Sequence, residues 1–336
     1  MPDNPRESDA CNVTILGTGS YTPEKVLTNA DLEKIVDTTD DWITSRTGIK
    51  ERRIAADDQA TSDLGTQAAL AAMENAGIKA EDIDLIVCAT ISPDTFFPST
   101  ACYIQKNIGA ANAVAFDISA ACAGFLYALQ IARHFLNFGN RKTALIIGAE
   151  KLSSMVNWDD RNTCVLFGDG AGAAILQRTD TPERKILASF MATDGNQTEI
   201  LKVPGGGSAC PITPANASDH LNTISMKGRD VYKQAVNAMR DAAEKVLAKA
   251  GLTADDVAMV IPHQANMRII EAITDRLGIP SERTFINLDK YGNTSAAAIA
   301  IALDEANRTG AIKKGDVILL VAFGAGLTWA STLIQW

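Results

Sequence analysis

Asn75-Ala-Gly-Ile-Lys-Ala-Glu-Asp-Ile-Asp-Leu-Ile-Val87 recurs as Lys249-Ala-Gly-Leu-Thr-Ala-Asp-Asp-Val-Ala-Met-Val-Ile261, 174 positions further along the chain. Each copy reads as a helix end, a closing glycine (Gly77, Gly251), a short acidic turn and the start of a buried apolar strand. The same shift lays Thr143-Ala-Leu-Ile-Ile-Gly148 on Val317-Ile-Leu-Leu-Val-Ala322. A segment that repeats with its whole helix, turn and strand grammar marks a duplicated unit. The copies divide near residue 180, giving an N-terminal half over 1–180 and a C-terminal half over 181–336.

Around this seed the patterning predicts strands near 12–17, 84–90, 113–119, 143–149 and 171–177, then 186–193, 257–262, 284–287, 316–323 and 328–335. Helices are predicted over 61–77, 98–108, 121–137, 228–250, 266–277 and 295–308. Such alternation implies an α/β fold with a mainly parallel sheet and ligands at the carboxyl ends of the strands. The glycine-rich stretch from Gly205 to Ser218 reads as a long surface loop.

Composition narrows the function. The 336 residues exceed one ordinary core, and 46% hydrophobic with only 6% aromatic content suits helices packed closely on sheets. A net charge of -9 argues against nucleic-acid binding, which needs surplus Lys and Arg. The six cysteines form no C-x-x-C pair, and with only three histidines no zinc spacing emerges, so no metal is expected. Reduced thiols in apolar stretches suit a cytoplasmic protein. The polar N-terminus lacks an apolar signal core, and runs such as Val317–Phe323 fall far short of a membrane span.

Cys122 lies in Asp117-Ile-Ser-Ala-Ala-Cys-Ala-Gly-Phe-Leu-Tyr127, where a strand pattern stops and a helix pattern begins. A thiol there faces the positive end of the helix dipole, which favours thiolate and marks a candidate nucleophile. Under the shift its counterpart is Ala296, so only one half carries the thiol. His263 follows the second copy of the buried strand, and Asn293 aligns with Ser119, just before the thiol. Taken singly, these residues read as a packing thiol, a structural histidine and a helix N-cap. Together they converge on one sheet edge.

The segments around Cys122, His263 and Asn293 resemble the thiolase-like condensing enzymes, and within them the β-ketoacyl-[acyl-carrier-protein] synthase III family. Asp41–Ile49, Phe167–Ala174 and Phe323–Ser331 resemble further segments of that family, and the likeness runs from Val13 to Trp336. The resemblance implies a five-layered αβαβα fold of two duplicated halves, a homodimer, no cofactor and a Cys122-His263-Asn293 triad. It places the adenine of coenzyme A between Trp42 and Arg161 with Thr38 and Arg46 nearby. Pantetheine contacts fall on Gly228 and Asn266, and an aromatic supplied across the dimer to the acyl pocket falls on Phe97. Lys233 and Arg268 match positions that meet the acidic acyl carrier protein, and Arg229, Lys233 and Arg240 share one predicted helical face. The family's triple glycine is Gly324-Ala-Gly326 here, so the second oxyanion donor beside the Cys122 N–H is the backbone of Ala325.

The implied reaction is a decarboxylative condensation of an acyl-CoA primer, acetyl-CoA first, with malonyl-acyl carrier protein. The residue types suit it. A thiolate accepts the acyl group, backbone N–H groups hold the oxyanion, and neutral imidazole with a carboxamide can donate to an enolate oxygen. A condensing enzyme of secondary metabolism with another primer or acceptor is the alternative. A nucleotide-dependent oxidoreductase is prompted by Val13-Thr-Ile-Leu-Gly-Thr-Gly19 and Gly168-Asp-Gly-Ala-Gly172, but neither motif has a third glycine opening a helix. A scaffold without activity would have no use for the intact Cys, His and Asn.

Overall fold

The computed structural model describes residues 12–138, 140–180 and 183–336. Met1–Cys11, with the polar N-terminal stretch and one of the six cysteines, lie outside the described residues, as does the first residue past the expected division at 180.

The first half runs through β1 (Asn12–Tyr21), the hairpin β2 (Lys25–Thr28) and β3 (Glu51–Ile54), then β4 (Leu85–Ala89), β5 (Val114–Ile118), β6 (Thr143–Glu150) and β7 (Gly170–Thr179). The second adds β8 (Lys185–Thr193), the ribbon β9 (Leu201–Lys202) with β10 (Ser225–Met226), β11 (Met259–Pro262), β12 (Val317–Gly324) and β13 (Thr328–Gln335). Helices are α1 (Asn29–Leu32), α2 (Asp40–Thr47), α3 (Thr61–Ala76), α4 (Thr100–Ile108), α5 (Gly124–Phe138), α6 (Gly228–Ala250), α7 (Met267–Leu277), α8 (Leu288–Tyr291) and α9 (Ala298–Arg308).

Strand alternation builds the layers. In β4, Leu85, Val87 and Ala89 face a central core while Ile86 and Cys88 face an outer one shared with α3. In β12, Ile318, Leu320 and Ala322 enter the same central core, and Leu319, Val321 and Phe323 join α6 and α7 on the far side. Strands buried on both faces read as unbroken apolar runs, as these do. The central core is filled by α5 and α9, so the order is helices, sheet, helices, sheet, helices, the expected five-layered αβαβα arrangement. Truncating a buried leucine of the middle layer, such as Leu129, costs about 2–5 kcal/mol.

The repeat persists in three dimensions. The turn Ala80–Asp82 matches Ala254–Asp256, β6 matches β12 end to end, and Ala121–Ala123 with α5 matches Ser295–Ala297 with α9, all at 174 positions. Strand direction corrects the expectation of a mainly parallel sheet. The order is β11-β12-β13-β8-β1-β7-β6-β4-β5, and only β11–β12, β4–β5 and β4–β6 are parallel. The chain returns from β6 to β7 and from β12 to β13 without a crossover helix, so those neighbours run antiparallel. The strand expected over 284–287 shrinks to a bridge between Val260 and Thr284. There the Gln264 Oε1 takes the N–H groups of Asn287 (3.0 Å) and Leu288 (3.2 Å), which removes them from any ladder.

Candidate active site

Cys122 occupies a one-turn 3-10 segment, Ala121–Ala123, that leads into α5. Its counterpart Ser295–Ala297 leads into α9, and the two turns meet across the middle layer. Glycine makes this approach possible. A β-carbon on Gly148 would lie 2.2 Å from the Ala296 carbonyl oxygen, and one on Gly124 only 2.9 Å from the Ala89 β-carbon. On the other side, β12 abuts the nucleophile so closely that a β-carbon on Gly324 would sit 2.6 Å from the Cys122 nitrogen. The Cys122 Sγ lies 3.5 Å from the Ser295 hydroxyl.

Burial pushes the Cys122 thiol up to about 12, the Ser295 hydroxyl opposing the rise and Glu150 adding to it. The helix that follows acts in the opposite sense, favouring the thiolate.

His263 follows β11, its N–H bonded to the Val321 carbonyl at 2.8 Å. The ring is buried, both nitrogens lack a partner among the described residues, and burial lowers its pKa to about 4. It is therefore a neutral imidazole with an uncommitted N–H. Asn293 is held by the first half: its N–H donates to the Leu166 carbonyl (2.8 Å), and its carbonyl accepts from Gly168 (3.1 Å). Its Oδ1 accepts the Ser295 N–H at 2.9 Å. Asn293 is not itself the N-cap, which falls on Thr294 for the turn and on Ala297 for α9; its bond to the Ser295 N–H occupies the carboxamide oxygen and leaves the –NH₂ as the free donor end.

Two cavities meet here. An outer cleft of about 1060 Å³ and an apolar chamber of about 430 Å³ share Cys122, Phe167, Leu201 and Ile224. His263 and Asn293 line the cleft, while Ser119 and Ala325 line the chamber beside the thiol. Ala325 does not have a positive φ, so its methyl group leaves the backbone unstrained.

Trp42, Arg46, Gly228, Asn266 and Arg268 line the cleft, bringing α2, α6 and α7 to one mouth. The Asn266 Nδ2 donates to the Arg46 carbonyl at 3.2 Å and an Arg268 nitrogen to the Ser45 carbonyl at 3.0 Å. Arg46 and Arg161 place their guanidinium carbons 4.7 Å and 5.2 Å from the Trp42 ring centre. Arg161 also holds the Asp37 carbonyl at 2.8 Å, so an adenine between Trp42 and Arg161 requires that guanidinium to leave the ring. Thr38 and Arg161 do not line the cleft, and the Thr38 hydroxyl is buried with no hydrogen-bond partner among the described residues. Phe97 reaches neither cavity of its own chain and stands 85% exposed. Lys233 is exposed on α6. Of its two neighbours in the expected basic face, Arg229 turns into the cleft and Arg240 pairs with Glu244 at 3.6 Å.

Sequence reasoning missed Glu150 and Ser295, and it missed the 198–226 segment, whose Leu201, Ile224 and Met226 wall the cavities. The glycines that suggested a nucleotide site serve packing. β-Carbons on Gly17 and Gly19 would lie 2.5 Å and 2.2 Å from backbone nitrogens of α3, and one on Gly172 would meet Ala300 at 2.5 Å. Among the described residues no cluster of His, Cys, Asp or Glu forms a metal site, and no helix is long and apolar enough to cross a membrane.

A duplicated αβαβα fold with a thiol on one inner turn, and imidazole and carboxamide from the other half lining the same cleft, is the arrangement expected of a thiolase-like condensing enzyme. Residues 116–195 match the family described as 3-oxoacyl-[acyl-carrier-protein] synthase III, and residues 247–336 match its C-terminal part. The chain is 58% identical to the β-ketoacyl-[acyl-carrier-protein] synthase III of Caldanaerobacter subterraneus subsp. tengcongensis over 96% of its own length and 97% of the relative's. The crystal structure of 3-oxoacyl-[acyl-carrier-protein] synthase III from Aquifex aeolicus aligns with a TM-score of 0.90 at 50% identity, covering 96% of this chain and 100% of that one. A priming β-ketosynthase from the R1128 polyketide pathway aligns at 0.89 with 35% identity over 97% of both chains. The chain belongs to the β-ketoacyl-[acyl-carrier-protein] synthase III family, and it is a condensing acyltransferase.

Proposed function

We propose that Cys122 carries the acyl group from an acyl-CoA primer and hands it to malonyl-acyl carrier protein in a decarboxylative Claisen condensation. The observation that carries this assignment is the position of Cys122 at the junction of cleft and chamber, with His263 and Asn293 lining the same cleft. The primer thioester enters along Trp42, Arg46, Gly228 and Asn266, its acyl group directed into the chamber. The Cys122 and Ala325 N–H groups hold the tetrahedral oxyanion; one such donor is worth about 3 kcal/mol. Malonyl thioester follows down the same cleft and loses carbon dioxide. The neutral His263 N–H and the Asn293 –NH₂ donate to the enolate oxygen, and the enolate carbon attacks acyl-Cys122. The sequence is redox-neutral and each bond change is met by these side chains, so it runs without a cofactor, coenzyme A being part of the substrate.

Acetyl-CoA is the first primer to test. The chamber of about 430 Å³ favours a second reading, a longer or branched primer in place of acetyl. Single-turnover acylation with a panel of acyl-CoAs, followed by malonyl carrier protein, decides between them. A cytoplasmic homodimer completes the reading. Adjacent Phe96 and Phe97, 87% and 85% exposed, are suited to cover by a second copy, and analytical ultracentrifugation tests it.

A further inference from the structure

Arg52, on β3, is fully buried, and its guanidinium is bonded to neutral oxygens. Nη1 donates to the Asn29 side-chain oxygen (2.9 Å) and the Leu27 carbonyl (3.2 Å), and Nη2 to the Val165 carbonyl (2.7 Å). The Nε–H has no partner among the described residues. A buried cation held by neutral acceptors is a poor source of stability, because its desolvation is only partly offset. What it supplies is geometry: a planar fork that fixes Leu27, Asn29 and Val165 against β3.

The stretch that begins at Val165 carries Asn293. The Leu166 carbonyl accepts the Asn293 N–H (2.8 Å), Phe167 forms an isolated parallel bridge with Asn293, and the Gly168 N–H donates to the Asn293 carbonyl (3.1 Å). Both backbone groups of Asn293 are therefore set by this segment. The Arg52 stem packs against the same two stretches: a β-carbon on Gly168 would lie 3.0 Å from the Arg52 β-carbon, and one on Gly292 3.4 Å from it. At the other end of the fork, the Asn29 Nδ2 donates to the Asp40 carboxylate (2.7 Å) and the Ile49 carbonyl (2.8 Å), and the Thr44 hydroxyl also donates to Asp40 (3.0 Å). Asp40 and Thr44 belong to α2, which brings Trp42 and Arg46 to the cleft mouth. Arg52 thus joins the helix at the mouth to the segment that holds Asn293.

We propose that Arg52 is a positioning residue for the condensation half-reaction. It keeps the segment from Val165 to Gly168 in register with α2 and thereby aims the Asn293 carboxamide at the enolate oxygen. The proposal rests on Asn293 being a donor to that oxygen.

The other anchors on this segment act further along. The Asp169 carboxylate accepts the N–H groups of Ala55 and Ser153 (both 2.8 Å), and the Asp169 N–H donates to the Arg53 carbonyl (2.8 Å). These bonds survive loss of the guanidinium and keep the segment attached to the β2–β3 hairpin; at Val165 the donor is Arg52. The α2 helix likewise keeps its own bonds to Asn29. Arg52 bonds to neither Cys122 nor Ala325, so the groups assigned to acylation stay in place.

Arg52→Met keeps a long stem against Gly168 and Gly292 and removes the fork, whereas Arg52→Lys keeps the charge on a single point donor. Carbon dioxide release from malonyl-acyl carrier protein should fall in kcat roughly 10²-fold for Arg52→Met and roughly tenfold for Arg52→Lys, with KM within about twofold, as expected of a misplaced group. Acylation of Cys122 by acyl-CoA, followed by mass spectrometry, should stay near the wild-type rate in both. The deciding measurement is a cycle with Asn293→Ala: once the carboxamide is gone, adding Arg52→Lys should slow decarboxylation by less than about twofold. Additive losses, or unchanged decarboxylation in Arg52→Met, overturn the positioning role and leave Asn293 its own. Equal losses in acylation and decarboxylation, or the absence of a cooperative thermal transition in both variants, make Arg52 a residue of the fold and overturn it as well. Normal decarboxylation by Asn293→Ala alone overturns the reading on which the proposal rests, and is seen without any change at Arg52.

Discussion

Ala121 and Ser295, 174 positions apart, share a left-handed backbone with φ 44° and 48°, one directly before the nucleophile and the other 3.5 Å from its sulfur. For residues with a β-carbon such a conformation costs about 1–3 kcal/mol and persists only where its surroundings impose it. Here each turn is pressed by a strand of the other half, β6 at Gly148 against Ala296 and β12 at Gly324 against Cys122, too closely for a β-carbon at either glycine. Duplication therefore built a symmetric pair of strained turns, and divergence placed sulfur on one and the hydroxyl on the other.

Among the described cysteines, Cys122 should be the one that acyl-CoA labels. Cys88 and Cys164 are fully buried, and Cys102 and Cys210 line neither cavity. Peptide mass spectrometry should find the adduct on the Cys122 peptide and lose it in Cys122→Ala. Labelling of any other cysteine at substrate concentrations of acyl-CoA would refute the assignment.

The half-reactions should separate. Asn293→Ala removes a donor to the enolate oxygen but leaves the Cys122 thiol and both assigned oxyanion donors in place, so acyl-Cys122 should still form while decarboxylation falls roughly 10²-fold or more. His263→Ala should behave alike, because an imidazole at about 4 is a poor base for the thiol. Acyl-enzyme formation and carbon dioxide release, measured separately, check this. Normal condensation by Asn293→Ala would leave Asn293 only its bond to the Ser295 N–H.

The site residues differ in how plainly the sequence announces them. Cys122, His263 and Asn293 end strand signals or open helices, and the repeat aligns them on one edge. Trp42, Arg46 and Arg161 carry no local pattern; only the family likeness pointed to them. Glu150 closes an apolar strand, where a carboxylate reads as the first solvent-facing residue. Its burial is decided by Ser92 and Ala296, 58 and 146 positions away. Strand direction was equally silent, because a strand's residues do not state its sense; only the connections do. The long 151–169 return lacks a helix pattern, which was the available signal for an antiparallel β7.

Stability should carry two opposed pH dependences. His263 is held at about 4 against 6.5, so the unfolded chain binds the extra proton between those values, and stability rises with pH there. Glu150 is raised from 4.5 to about 7, so the folded chain holds the extra proton, and stability falls as pH rises through that window. Each contribution is about 3 kcal/mol. Between pH 5 and 6 they nearly cancel in the wild-type protein. Urea unfolding should therefore show a rising slope in Glu150→Gln and a falling one in His263→Ala; unchanged slopes would contradict the burial-driven shifts.

Lys233→Glu should weaken use of malonyl carrier protein while sparing acyl-CoA transfer, since Lys233 is exposed on α6 and does not line the cleft. The loss should be larger at low salt, as expected of a surface charge meeting an acidic partner. Arg268 is the less selective probe, because it also holds the Ser45 carbonyl at the cleft mouth. Steady-state KM for the carrier protein at two ionic strengths, beside the acylation rate, checks the claim. Equal losses in both reactions would mark Lys233 as a structural residue.

Gly324→Ala should disable acylation and condensation together. Its β-carbon would stand 2.6 Å from the Cys122 nitrogen and 3.1 Å from both the Ala121 β-carbon and the Ala123 nitrogen. None of these is the loose end of a side chain, so the turn must shift. The Cys122 N–H is one of the two assigned oxyanion donors, and the tetrahedral species of both half-reactions uses it. Loss of one such donor costs about 10²–10³ in rate. Overpacking adds a stability loss of about 1–3 kcal/mol. Gly148→Ala is the matched control, because its clash falls on the Ala296 carbonyl of the other turn and leaves the Cys122 N–H in place. Both variants should show comparable destabilisation on thermal unfolding, while Gly324→Ala shows the larger loss in single-turnover acylation. Equal losses in acylation would mean that packing between the turns, rather than placement of the Cys122 N–H, limits the reaction.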